Sequence, residues 1–211
     1  NHSITTFQHR ISPSLASLDE KGKPIFPLPL AALHATKILM NPEELIAHFA
    51  LAPHPEGGFY RRTYCSSGTI PQAALSSGFA GPRPFGTAIL FLLREGDYSR
   101  LHRIRQDEIW HFYLGGPLRL ALLGPDGAAR EVMLGQKPLD GQHLQYAVPA
   151  GFWFGATPCP GSGFSLVGCT VSPGFDFADL KLGRRKELLA TFPATAACIR
   201  EFCPAKDSEA D

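Results

Sequence analysis

From Gly57 to Val171 the chain is cut into nine short apolar runs, each bounded by Gly, Pro or other turn residues. They are GGFYRRTYC (57–65), GTAILFLL (86–93), SRLHRI (99–104), DEIWHFYL (107–114), PLRLALL (117–123), REVML (130–134), HLQYAV (143–148), GFWFGA (151–156) and GFSLVGCTV (163–171). Runs of this length and composition pair as strands, and their even spacing leaves no room for the crossover helices that parallel strands require. The fold class is therefore all-β, a sandwich or barrel with a few short flanking helices.

The rest of the chain punctuates this pattern. NPEELIAHFAL (41–51) starts a short helix: Asn41 can cap it, Pro42 suits its first position, and Glu43 and Glu44 favour its positive end. GRRKELLATFPATAACIREFC (183–203) returns to helical composition and is broken at Pro193. Residues 67–85 form the one long irregular insert, read as a loop. Residues 1–36 lack a sustained period and read as an extended arm, residues 37–204 as one domain, and residues 205–211 as a frayed tail.

Composition narrows the partners. Twenty basic and 19 acidic residues give a formal charge of +1, too weak a field to recruit nucleic acid or an anionic membrane. No apolar run approaches the ~18–20 residues of a membrane span. Cys65, Cys159, Cys169, Cys198 and Cys203 are an odd set without CxxC spacing, and residues 1–11 lack the apolar core of a signal peptide. Together these predict reduced thiols, a cytoplasmic location and a small-molecule ligand.

The chemistry concentrates in GDYSRLHRIRQDEIWHFYLG (96–115). Strand alternation puts Glu108, Trp110, Phe112 and Leu114 on one face, and Asp107, Ile109, His111 and Tyr113 on the other. Glu108 and His111 thus diverge, although on a helix they would converge. A tight turn through 105–107 would instead bring His102 of the preceding run beside Glu108. One imidazole and one carboxylate facing an aromatic interior make either a hydrogen-bonded acid–base pair or part of a metal shell. The structural alternative is a buried polar pair that satisfies itself.

The same residues resemble the first motif of the cupin superfamily, a Gly, a His-x-His pair, a Glu and a closing Gly at fixed spacing. Gly96, five residues, His102, Arg103, Ile104, three residues, Glu108, six residues and Gly115 match it except at the second His, which is Ile104. The second motif, Pro-x-Gly-x-x-His, resembles Pro149-Ala150-Gly151-Phe152-Trp153, with Phe154 in place of the His. More closely, HPEGGFYRRTY, SRLHRIRQDEIWHFYLGGPL, VPAGFWFGA and SLVGCTVSPGFDFADLKLG are similar to the subfamily usually called DUF985 (cupin_5), over roughly residues 38–204. The resemblance implies a double-stranded β-helix, the cupin jelly-roll, enclosing a ligand pocket, and a homodimer; it implies no particular reaction.

A metal cupin usually offers three His and one Glu. Here only His102 and Glu108 remain, fewer than the three or four ligands that hold zinc or iron firmly, so no metal cofactor is expected. The expected activity is a metal-independent isomerase or epimerase on a sugar or sugar-nucleotide-like ligand, with His102 as general base and Glu108 orienting it. A dimeric cupin that only binds or stores its ligand is the alternative, and a metal-dependent oxygenase a second. Arg61, in phase with Thr63, reads as a contact for a ligand carboxylate or phosphate, or as a solvated surface charge. Trp110, Phe112 and Phe154 read as core or as an apolar wall of the cavity. Asp176 joins this set of ligand-binding candidates from a turn position. Gly57-Gly58 reads as a bulge or a close backbone approach.

Overall fold

A computed structural model describes residues Met40–Cys203. The expected N-terminal arm and frayed tail lie outside the described residues. Thirteen strands appear, and the nine runs picked from the sequence supply the longer ones. These are β2 (Phe59–Cys65), β5 (Thr87–Arg94), β6 (Ser99–Arg103), β7 (Asp107–Gly115), β8 (Leu118–Leu123), β9 (Ala129–Leu134), β10 (Gln145–Val148), β11 (Trp153–Pro158) and β12 (Phe164–Ser172). Two-residue strands complete the set: β1 (Ala52–Pro53), β3 (Thr69–Ile70), β4 (Arg83–Pro84) and β13 (Lys181–Leu182). The insert at 67–85 is therefore not structureless, because β3 and β4 pair within it.

One sheet runs β1-β2-β5-β12-β7-β10 and the other β13-β6-β11-β8-β9, with antiparallel neighbours throughout. Between them Phe91, Trp110, Phe112 and Val167 of the first sheet meet Leu118, Leu120, Leu122 and Phe154 of the second. Both outer faces are also covered. Helix α1 (Pro42–His48), capped by Asn41 as expected, lays Leu45 and Ile46 against Leu92, Leu166 and Phe59. Helices α2 (Arg185–Thr191) and α3 (Ala196–Phe202) pack Leu188, Ile199 and Phe202 on Leu101, Ala121 and Leu123. Burial on two faces is why β5 and β8 read as almost unbroken apolar runs.

Three register shifts interrupt the ladders among the described residues, one of them between β11 and β6 from Phe154 to Ala156, and the other two re-aim side chains named above. Opposite β12, β7 steps from Phe112 to Leu114 while β12 steps only from Val167 to Leu166, so Tyr113 is an extra residue. The expected alternation holds through Phe112, but Leu114 turns outward to the α1 side. In β2, Thr63 is the extra residue opposite Ile89 and Ala88 of β5.

The turn at 105–106 does not close a hairpin. Strand β6 belongs to one sheet and β7 to the other, so the chain crosses the sandwich there. His102 and Glu108 consequently stand on opposite walls, not side by side in one sheet as the sequence led us to expect.

Candidate functional site

At one end the two sheets are not filled by side chains. They enclose a cavity of about 320 Å³ lined by His54, Glu56, Tyr60, His102, Ile104, Glu108 and Cys169 among others, and Phe175, Phe177 and Leu180 flank it. The anchor of this site is HPEGG (54–58). Gly57 (φ +111°) and Gly58 (φ +68°) turn the chain against β6, and a Cβ on Gly57 would lie 2.2 Å from the Tyr98 carbonyl oxygen. Only glycine allows that approach. It lets the Arg100 N–H donate to the Glu56 carbonyl at 2.7 Å, which seats Glu56 over His102.

The partner of His102 is therefore Glu56. Its Oε2 lies 3.0 Å from His102 Nε2. The other ring nitrogen, Nδ1, is 2.7 Å from the Arg100 carbonyl, which can only accept, so Nδ1 carries a proton and Nε2 of the neutral ring presents a lone pair. His102 is 2% exposed and Glu56 6%. Burial disfavours charge on both: it lowers the His102 pKa, and it raises that of Glu56, with the nearby Glu108 charge adding to the rise. We read the pair as a neutral imidazole and a carboxylic acid sharing one proton between Nε2 and Oε2. His54 Nδ1 lies 3.6 Å from the other Glu56 oxygen, beyond hydrogen-bond reach, and burial keeps that ring neutral too, with its pKa lowered to about 4.

Glu108 faces this pair from the opposite sheet. It is 8% exposed, hydrogen-bonded to the Cys169 thiol, and pushed up to about 7 by burial. It does not orient His102, since both ring nitrogens are committed elsewhere. The expected base and its expected orienter thus share the cavity without pairing.

The other predicted contacts divide. Arg61 reaches the cavity rim, but its guanidinium turns outward to donate to the Phe49 carbonyl at 3.0 Å. Arg62, in phase with Tyr60, is the arginine on the inward side of β2. Thr63 is the bulge residue and donates to the Ala88 carbonyl at 3.2 Å, away from the lining. Trp110, Phe112 and Phe154 pack in the core and do not line the cavity, although the Phe154 ring abuts His102 at 4.1 Å between centroids. Asp176 caps the short 3₁₀ turn Phe177–Asp179 through the Ala178 N–H and does not line the cavity. Sequence reasoning missed His54 and the role of Glu56. The available signal was the His-x-Glu spacing, which puts both side chains on one face of an extended segment, directly before a Gly-Gly close approach.

Two facing antiparallel sheets with a polar cavity at one end define a cupin-type β-sandwich. Residues 43–183 match the family described as Cupin superfamily (DUF985), and the chain belongs to that family. A "hypothetical protein from Leishmania major" is similar at 32% identity and TM-score 0.70, covering 76% of this chain and 97% of that one. Protein SO0799 from Shewanella oneidensis is similar at 36% identity and TM-score 0.69, covering 78% and 98%. No curated protein matches.

Many cupins hold a metal, and the donor set here does not fit one. The positions of two usual His ligands are Ile104 and Phe154, both apolar and buried. The Nε2 lone pair that a metal would take is directed at Glu56. Among the described residues no group of three or more His, Cys, Asp or Glu could hold an ion. Among them, too, no helix is long and apolar enough to cross a membrane.

Proposed function

We propose that the protein is a metal-independent acid–base enzyme of the isomerase or epimerase type, acting on a small carbonyl-bearing ligand such as a sugar or a sugar-nucleotide-like molecule. The observation that carries this reading is the Glu56–His102 pair on one wall of a small cavity with Glu108 on the other. Pairs of titratable groups whose environments hold protons near neutral pH are what enolisation needs.

In this reading Glu56 is the substrate-facing base. It accepts the proton from the carbon beside the carbonyl on its free oxygen while its own proton passes to His102 Nε2. The resulting imidazolium is held by the Arg100 carbonyl through Nδ1–H. Glu108, still substantially protonated near pH 7, gives its proton to the carbonyl oxygen, so the substrate becomes a neutral enediol. The positive charge on the pair is then balanced by the Glu108 carboxylate. Return of a proton to the neighbouring carbon, or to the opposite face of the same carbon, gives the isomer or epimer and restores both walls.

Incubation with aldoses and ketoses in D₂O, followed by proton NMR, tests this reading. Deuterium should enter at the carbon beside the carbonyl, and Glu56→Gln should slow its entry by on the order of 10²–10⁴, the usual worth of a positioned acid or base. Exchange unchanged in Glu56→Gln would remove the base assignment. A sugar that binds without any exchange would make the protein a binding module.

A further inference from the structure

Along β6 and β13 successive side chains leave the sheet on opposite sides. His102 points to the cavity already described, and Ile104 and Leu180 line both it and a second, open groove. Arg103, Arg105 and Lys181, which alternate with them, line only that groove, of about 670 Å³, together with Ser76, Ser77 and Asp179. The two cavities share Ile104 and Leu180 as a common wall.

The groove has an excess of positive charge that its own carboxylates do not absorb. Lys181 and Arg103 are directly opposed in the β13–β6 register, an arrangement of like charges that costs stability unless something lies between them. Asp179 is already saturated: Arg83 grips both oxygens at 2.7 Å, and Gln106 donates to Oδ2 at 2.8 Å. Arg105 Nε stands 3.8 Å from the same carboxylate, beyond a hydrogen bond. Lys181 reaches Glu187 only at 4.0 Å, both side chains largely exposed, and Glu187 stands closer to Arg184 at 3.5 Å. Arg103 rests on the Trp153 ring, 4.8 Å from its centroid, which fixes the guanidinium without neutralising it. The groove lining itself carries three cations, Arg103, Arg105 and Lys181, against one carboxylate, Asp179, an excess of two charges.

The serine loop is shaped to this cluster. Gly78 takes φ +104°, a conformation that favours glycine, and the Arg105 guanidinium lies against it beside Ser76 and Ser77 of the groove. We propose that this groove binds a phosphate-type dianion, either free phosphate or the phosphate group of a small molecule. Arg103, Arg105 and Lys181 would supply charge-assisted donors, and the Ser76 and Ser77 hydroxyls neutral ones. The site is independent of the reaction proposed for the enclosed cavity.

The test is a thermal-shift titration of the full chain with sodium phosphate at constant pH and ionic strength, alongside isothermal calorimetry. The expected result is a saturable rise in Tm that Arg105→Gln/Lys181→Gln weakens by about tenfold or more in phosphate affinity. Arg62→Gln, at the rim of the other cavity, should leave phosphate affinity unchanged. Lys181→Gln alone, at an exposed position, serves if the double variant does not fold. No saturable phosphate effect in the wild type would overturn the proposal, as would an effect abolished by Arg62→Gln and retained in the groove variants. A parallel titration with glucose 6-phosphate separates the sources: equal affinity assigns the groove to the free anion, and affinity about tenfold tighter assigns it to a phosphorylated molecule.

Discussion

The space between the two sheets has a dry half and a polar half, and one strand serves both. On β7, Glu108 faces the cavity while Trp110, two residues on and on the same face, sits in the packed core. In the dry half Phe91 and Phe154 meet Trp110 edge-on, with centroids 5.9 and 6.2 Å away. In the polar half Glu56, His102, Glu108 and Cys169 are buried almost as deeply, yet space remains beside them. Equal burial thus means different things. In one half it is the source of stability; in the other it favours the neutral forms of ionisable groups.

The largest expected effect breaks the dry half. Trp110→Ala removes a fully buried ring and should cost ~3–5 kcal/mol in urea unfolding. Trp110→Phe should cost much less than Trp110→Ala. The indole N–H has no hydrogen-bond partner among the described residues, so its removal offsets part of the lost packing. Equal costs for the two variants would show that the indole N–H is in fact satisfied.

The polar half should respond to pH where the dry half does not. Glu108 is pushed from 4.5 up to about 7 in the folded protein, so the folded state holds a proton that the unfolded chain releases. Its contribution to stability is complete below pH 4.5 and is lost as pH rises through about 7, on the order of 3 kcal/mol in all. Glu56 is shifted the same way, whereas His54 and His102, with lowered pKa values, withdraw stability as pH falls below 6.5. The difference between wild type and Glu108→Gln isolates the Glu108 part. Measured at pH 5 and pH 8, that difference should change by on the order of 3 kcal/mol, and a constant difference would mean that Glu108 titrates normally.

The dry half was legible in the sequence and the polar half only partly so, for a physical reason. Period-2 alternation reports which side chains share a face, and it placed Glu108, Trp110 and Phe112 inside correctly. Alternation is blind to an extra residue, so the bulge at Tyr113 sent Leu114 to the wrong face, and it cannot tell which of two sheets a strand joins. Pairing His102 with Glu108 assumed a hairpin where the chain crosses the sandwich. The true partner, Glu56, lies 46 positions from His102 in a segment whose legible feature was its glycines. What those glycines admit, a backbone contact at Tyr98, is a fact of tertiary structure that local spacing does not encode.

The smallest expected effect sharpens the comparison most, because it asks what kind of polar half this is. If His102 and Glu56 formed an ion pair, Glu56→Gln would strand a buried imidazolium and cost ~3–5 kcal/mol. In the neutral pair described above, the Gln amide can replace the carboxylic O–H as donor to the Nε2 lone pair, with Nδ1–H still bound to the Arg100 carbonyl. Glu56→Gln should then change stability by less than ~1 kcal/mol at pH 7, while the exchange reaction proposed for Glu56 collapses. His102 should stay neutral in both proteins, its ring ¹⁵N shifts reporting a protonated Nδ1 and an unprotonated Nε2 down to well below the ordinary histidine range. A costly Glu56→Gln, or a doubly protonated ring in the wild type at pH 7, would make the pair ionic and shift the base role from Glu56 to the opposite wall at Glu108.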